Sequence, residues 1–402
     1  MVHIHLVTKY FFPVGGGMER SVARIAKFLS EVRGFKSYIY VTKVEEPSGE
    51  SDRIKGTYKL QKALFEPYEE ASKAPFSHEA VRENNRLSFL ILRNEIEKEI
   101  RKTPNDCHII ISFFLSTTGF ICQHVSDNLR IPHIACIRGS DFSRDLYSTR
   151  EFGLNEINWV ANRASYIMTT SNDQLETLKY LFSISDNRIS TVYNSIGDEF
   201  SEYTWKPKKR GVIKLICDSG FLHKKGTHVL LKSFEELINK GYPIQLSMIG
   251  KIEKDNENYW NYTIASYKER YNGSFFVYGF MKIFDVLKMF LESDVYCSPT
   301  LGEGCSSSRL QALFLGIPIV STECGELKDI VRTYGKNNFI ELCNPGDQEG
   351  FTVCLERMID KLNKLFYVDK QYIDSIKKTF SVANEKLGWE GVIRNVVAKN
   401  NL

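Results

Sequence analysis

At 402 residues the chain is too long for one ordinary hydrophobic core and fits two domains. An apolar fraction of 43% and a charged fraction of 25% are those of a globular protein. A net charge of +4 permits contact with phosphates or an anionic membrane surface without demanding nucleic acid, so no nucleic-acid partner is expected.

In chain order, β-branched runs at 2–8, 37–42, 108–114, 133–138, 166–171 and 189–194 predict strands, with helical periodicity at 18–31 and 79–102 between them. The basic, proline-bearing segment WKPKKRG at 205–211 reads as a linker. The alternation then restarts, with strands at 213–219, 244–250, 274–279, 294–299 and 317–322 and helices at 227–239, 284–292 and 307–315. The closing stretch 367–402 reads as helix, with Trp389 and Ile393 available to pack on a neighbour. Such alternation predicts an α/β protein of two doubly wound parallel-sheet lobes. Ligands in these folds bind beyond the carboxyl ends of the strands, so a cleft between the lobes is the expected site. No apolar stretch reaches the roughly 18 residues of a spanning helix, and the opening MVHIHLVTKYFF lacks the basic and apolar regions of a signal peptide. Nine scattered cysteines, never spaced C-x-x-C, are the usage of a reducing cytoplasm. Eight histidines without H-E-x-x-H spacing, and no D-x-D, leave no metal expected.

Three turns carry candidate chemistry. The first, KYFFPVGGGMERS, places Gly15, Gly16 and Gly17 between the first strand and the first helix, where bare backbone can approach an anion. A flexible loop reads equally well from these residues alone. The second, DSGFLHKKGTHVLL, sets His223, Lys224 and Lys225 just before Gly226 and the helix start at Thr227. A lysine meets a like partial charge at a helix N-terminus, so an anionic ligand would account for it; a solvated lysine pair is the competing reading. The third, SPTLGEGCSSSRLQALFLGIPIVS, puts Glu303 before the turn Gly304-Cys305-Ser306-Ser307, where Ser306 or Ser307 can cap the helix. One turn into that helix Gln311 leans back toward the N–H groups of 304–308. Amides suit phosphate, and an acid with an amide suits sugar and ribose hydroxyls; a plain capping turn fits too. Together the turns point to a nucleoside diphosphate bearing a sugar.

Over almost its whole length the chain resembles the glycosyltransferase family 4 enzymes of the GT-B fold. FFPVGGGMERSVARIAKFLSE resembles their P-x-x-G-G loop and helix, and TVYNSIGDEF their stretch before the interdomain linker. SGFLHKKGTHVLLKSFEEL resembles their lysine–glycine phosphate turn, and residues 277–331 their E-x7-E region with its flanks. The resemblance implies a retaining, metal-independent transferase with two Rossmann-like lobes. Its substrates would be a UDP- or GDP-sugar donor and a sugar or lipid-linked glycan acceptor. It further implies that Lys225 neutralises the diphosphate, that Glu303 with the backbone of Gly304 to Ser306 holds the sugar, and that Gln311 meets the ribose. Phe280 and Met281 would meet the base, and Gly15 to Gly17 would close over the phosphates. Three departures stand out: Gln311 replaces the second acid, Phe221 stands where an arginine often helps Lys225, and Arg138 replaces a histidine at the end of the strand at 133–138. Arg138 is expected to join Lys225 and Glu303 in catalysis. The domains are drawn at 1–205, rejoined by a C-terminal helix 383–402, and at 206–382. Surface polysaccharide or lipid-linked glycan synthesis is the implied setting, in the cytoplasm or peripherally on its membrane. Basic residues along 79–102 could touch anionic lipid, although a solvated helix face explains them as well. Two rivals stay open: a nucleotide-sugar epimerase of the same fold, and a non-catalytic partner protein.

Overall fold

The computed structural model describes residues 1–8, 17–41, 59–61, 78–116, 118–139, 151–197, 200, 202–208, 211–253, 256–364 and 369–400. The chain forms two compact units, Met1–Asn194 with Ala383–Leu402, and Ser195–Val382. In the first, β1 (Val2–Thr8), α1 (Gly17–Glu31), β2 (Phe35–Val41) and β3 (Lys59–Gln61) precede the long helix α2 (His78–Lys102). Then follow β4 (Cys107–Phe113), α3 (Thr118–Leu129), β5 (His133–Cys136), α4 (Glu151–Arg163), β6 (Tyr166–Thr169), α5 (Asn172–Phe182) and β7 (Ile189–Thr191). The seven strands pair in parallel in the order β3-β2-β1-β4-β5-β6-β7. Helices cover both faces of such a sheet, so its central strands are buried throughout. On α1, Val22, Ile25, Ala26 and Leu29 recur at helical spacing and all enter the core.

The second unit runs β8 (Ile213–Cys217), α6 (Thr227–Asn239), β9 (Ile244–Ile249), α7 (Glu257–Arg270), β10 (Phe275–Tyr278), α8 (Ile283–Glu292) and β11 (Val295–Ser298). It continues with α9 (Ser307–Leu315), β12 (Ile319–Thr322), α10 (Glu326–Tyr334), β13 (Ile340–Cys343), α11 (Gln348–Leu362) and α12 (Lys370–Thr379). Its six parallel strands are ordered β10-β9-β8-β11-β12-β13. The last helix, α13 (Val382–Lys399), belongs to the first unit, where Trp389 and Ile393 are fully buried.

Two boundaries differ from the sequence expectation. The first unit ends at Asn194, not at 205, and the supposed linker is anchored: Trp205 is buried and its indole N–H donates to the Ser293 carbonyl at 2.7 Å. The closing helical stretch is two helices, broken where buried Phe380 and Ser381 follow Thr379, in a run of weak helix formers. The predicted strands at 133–138, 166–171 and 189–194 overrun β5, β6 and β7, and the excess residues are the loops of the carboxyl edge.

Alternation along β1 sends His3 and His5 to the face opposite Ile4 and Leu6. There His5 Nε2 lies 3.1 Å from His108 Nδ1 on β4, and His5 Nδ1 lies 3.0 Å from the Tyr40 hydroxyl. His108 Nε2 donates to the Thr103 carbonyl at 3.3 Å, which leaves its Nδ1 to accept from a neutral His5. Burial, then the neighbouring His108 and His3, hold His5 well below the usual histidine range. Burial likewise lowers His108 and pushes His133 down to about 3. In the unfolded chain these rings protonate below about pH 6.5, while in the folded unit they stay neutral. Each therefore removes about 1.4 kcal/mol of stability for every pH unit below that value, until its folded pKa is reached. Amide-exchange protection, corrected for the intrinsic rate, should fall across β1 from pH 7 to pH 5 more than across β8; equal responses would refute this account.

Candidate active site

In the second sheet β8 and β11 lie side by side but are far apart in sequence, so the strand order reverses between them. Loops leaving neighbouring strands at such a switch point open a crevice at the carboxyl edge. The loop after β8 is 218–226 and the loop after β11 is 299–306, which are the second and third turns of the sequence reading. Backbone contacts lock them together. The Leu301 N–H donates to the Lys224 carbonyl at 3.0 Å. Gly226 has φ of +68°, and a Cβ there would stand 1.9 Å from the Pro299 carbonyl oxygen, so only glycine permits the approach.

The result is a direct contact between the Lys225 ammonium and the Glu303 carboxylate, both largely buried. Burial first, then the charges of Lys224 and Arg309, push Lys225 down to about 8, against Asp218 and Glu326. An anion in contact favours the charged form, so at neutral pH the pair is ammonium and carboxylate. Beside it, Asp218 accepts from the Tyr296 hydroxyl at 2.8 Å and bonds the Ser308 side chain. Burial nonetheless lifts the Asp218 carboxyl above its usual range.

Gly304 and Cys305 are buried, and Ser306 is the N-cap residue of α9. The cap differs from expectation: the Ser306 hydroxyl makes no capping bond, and its backbone N–H goes to the Glu326 carboxylate. One of the amides assigned to a ligand is thus already engaged. Ser307 is exposed, and Gln311 one turn later is half-buried with no hydrogen-bond partner among the described residues. Below this turn, Arg309 and Glu326 form a fully buried two-pronged ion pair, with Nε–Oε1 at 2.7 Å and Nη2–Oε2 at 2.6 Å.

Around the pair, His223 and Lys224 are exposed, and the His223 ring stacks on His228 at 4.4 Å. Phe221 is buried against Trp260 and cannot stand in for a cation. Phe280 follows β10 at the same edge of the sheet, is 73% exposed, and carries the Lys251 ammonium 5.5 Å from its ring centre. Met281 beside it is half-buried. Among the described residues no three His, Cys, Asp or Glu side chains gather as a metal would need, and no helix is long and apolar enough to cross a membrane. All nine cysteines are buried and unbridged.

In the first unit Gly15 and Gly16 lie outside the described residues, and Gly17 opens α1. Arg138 sits in a buried polar cluster that its sequence position did not show. Its guanidinium is buried and bonds Ser21, Asn194 and, at 3.4 Å, Glu385 of α13, above the Trp389 ring. Arg24 also meets Glu385, Nε to Oε2 at 2.8 Å, so two guanidinium groups share one buried carboxylate. A charge taken out of water needs such a partner. Within the first unit the Arg138 guanidinium is thus taken up by Ser21, Asn194 and Glu385.

Sequence reading did not single out Asp218, Arg309 or Glu326. For Arg309 a signal existed: it shares a helix face with Ala312 and Leu313, three and four residues on, which marks the face as buried.

Residues 15–200 match the family described as Glycosyltransferase Family 4, and residues 213–361 match Glycosyl transferases group 1. An uncharacterized glycosyltransferase of Methanocaldococcus jannaschii is 20% identical over 322 residues, 77% of this chain and 79% of that one. A glycogen synthase of Clostridium botulinum is 25% identical over 265 residues, covering 63% of this chain and 49% of the synthase, so the chain spans about half the length of that relative. Among solved structures, sucrose-phosphate synthase from Thermosynechococcus elongatus superposes with a TM-score of 0.75 at 12% identity, over 99% of this chain and 100% of that one. Anabaena HepE, in complex with UDP and glucose, gives 0.70 at 12% identity over 97% and 99%. At such identities the superpositions speak for the fold, the two family matches for the chemistry. The chain belongs to the family 4 type of glycosyltransferase and is a transferase enzyme of the GT-B fold.

Proposed function

We propose that the enzyme moves a sugar from a nucleoside-diphosphate sugar, UDP- or GDP-linked, to a hydroxyl acceptor with retention of configuration and without a metal ion. The Lys225–Glu303 contact at the switch point carries this reading. It sets a cation for a diphosphate against an acid for sugar hydroxyls, at the edge where such a sheet binds ligands. The similarity to HepE, whose structure holds UDP and glucose, supports a uridine nucleotide. In the reaction the bond from the anomeric carbon to the phosphate oxygen breaks, with its electron pair leaving on the diphosphate, where Lys225 offsets the charge. The acceptor oxygen attacks from the same face, and its proton passes to the departing phosphate. Glu303 holds the sugar hydroxyls, Gln311 the ribose, and the backbone at Phe280 and Met281 the base. The acceptor is a surface polysaccharide or lipid-linked glycan, met in the cytoplasm or at the membrane that bounds it.

A thermal-shift panel of UDP-, GDP-, ADP- and TDP-sugars, run with and without chelator, tests the proposal. One nucleotide should raise Tm in both conditions, since a bound ligand stabilises by mass action. No response to any donor would overturn the reading, and a response only with magnesium or manganese would overturn its metal-free form.

A further inference from the structure

Resting on the donor reading above, we propose that Arg309 and Glu326 are positioning residues that hold the Glu303–Ser306 turn in its reactive geometry. Glu326 grips the turn twice: its backbone N–H donates to the Gly304 carbonyl at 3.0 Å, and its carboxylate accepts the Ser306 N–H. Gly325 adds a third constraint. With φ of +60°, it lets the backbone come so near that a Cβ would stand 2.4 Å from the Gly304 carbonyl and 2.7 Å from that of Glu303. Arg309 then fixes Glu326 itself, taking both carboxylate oxygens and donating from Nη2 to the Cys324 carbonyl at 3.2 Å. The chain from turn to helix α9, across to the loop before α10 and back to the turn is closed by these bonds.

Stability alone does not account for the pair. A buried ion pair gains little over an apolar pair of similar volume. An apolar pair cannot accept the Ser306 N–H or align the turn that carries Glu303. Arginine suits the task because its rigid fork serves the carboxylate and the carbonyl together, which an ammonium cannot match.

The decisive variant is Arg309→Met with Glu326→Leu, which removes both charges and retains the volume. It should fold with a Tm near that of the wild type. Amide exchange at Gly304–Ser306 should accelerate, and kcat should fall roughly a hundredfold, the scale of a 1 Å misplacement. Affinity for the free nucleoside diphosphate should hold, because Lys225 is retained. Wild-type kcat with wild-type exchange in this variant would overturn the proposal. Should the double variant fail to fold, Arg309→Lys keeps the charge but not the fork. It should then lower kcat without raising the donor KM, and unchanged kcat would overturn the proposal equally. If the wild type turns over no nucleotide sugar while exchange at the turn still responds, the functional reading fails and the positioning role stands.

Discussion

Glu303→Gln should lower kcat about a hundredfold while changing the donor KM only a few-fold, on the scale seen when one preorganised electrostatic contact is removed. Glu303 is in contact with the Lys225 ammonium, and in the proposed reaction its carboxylate faces the sugar as positive charge develops at the anomeric carbon. Glutamine keeps the shape and the hydrogen-bonding reach but not the charge, so the loss falls on the chemical step. Gln311 provides the contrast. It is neutral, half-buried and assigned to ribose hydroxyls remote from bond breaking. Neutral hydrogen bonds contribute about 0.5–1.5 kcal/mol each, so Gln311→Ala should raise the donor KM modestly and leave kcat nearly unchanged. Gln311→Glu should be tolerated. Steady-state kinetics on the three variants decide the matter: an intact kcat in Glu303→Gln together with an inactive Gln311→Ala would reverse the two roles.

Lys225→Ala should cost about 1.5–3 kcal/mol, or tenfold to a hundredfold in kcat/KM for the donor, the value of a charge-assisted bond to phosphate. Because Lys225 and Glu303 touch, the loss in the double variant should be smaller than the product of the single losses. The pH profile gives a separate check. Burial, with help from Lys224 and Arg309, places the Lys225 titration at about 8, so the amine is charged below that pH and neutral above it. As kcat/KM reports the free enzyme, it should decline as pH rises through about 8. Bound diphosphate favours the ammonium, so kcat should hold to higher pH. Lys225→Arg should abolish the alkaline decline, and a flat profile in the wild type would refute a Lys225 titration near 8.

The alternation of β-branched runs with helical periodicity determined the two doubly wound sheets, because strand and helix preferences act over one or two turns of chain. The turns that carry Lys225, Gly226 and Glu303 were legible for the same reason: each sits at a strand end, where glycine and small polar residues break the pattern. Only the tertiary structure decided which of these groups meet. Lys225 and Glu303 are 78 residues apart, and they touch because the strand order places β8 against β11. The surroundings of Arg138 were hidden for the complementary reason. Its position after β5 is local, but the acid that receives its charge, Glu385, lies 247 residues away on the helix that rejoins the first unit. Glu326 looks like an ordinary surface charge when read along the chain, and burial turns it, with Arg309, into the support of the Glu303 turn. A charge in isolation prefers water, so where it can be buried depends on a partner, and that partner is set by strand order and helix packing, not by its neighbours in sequence.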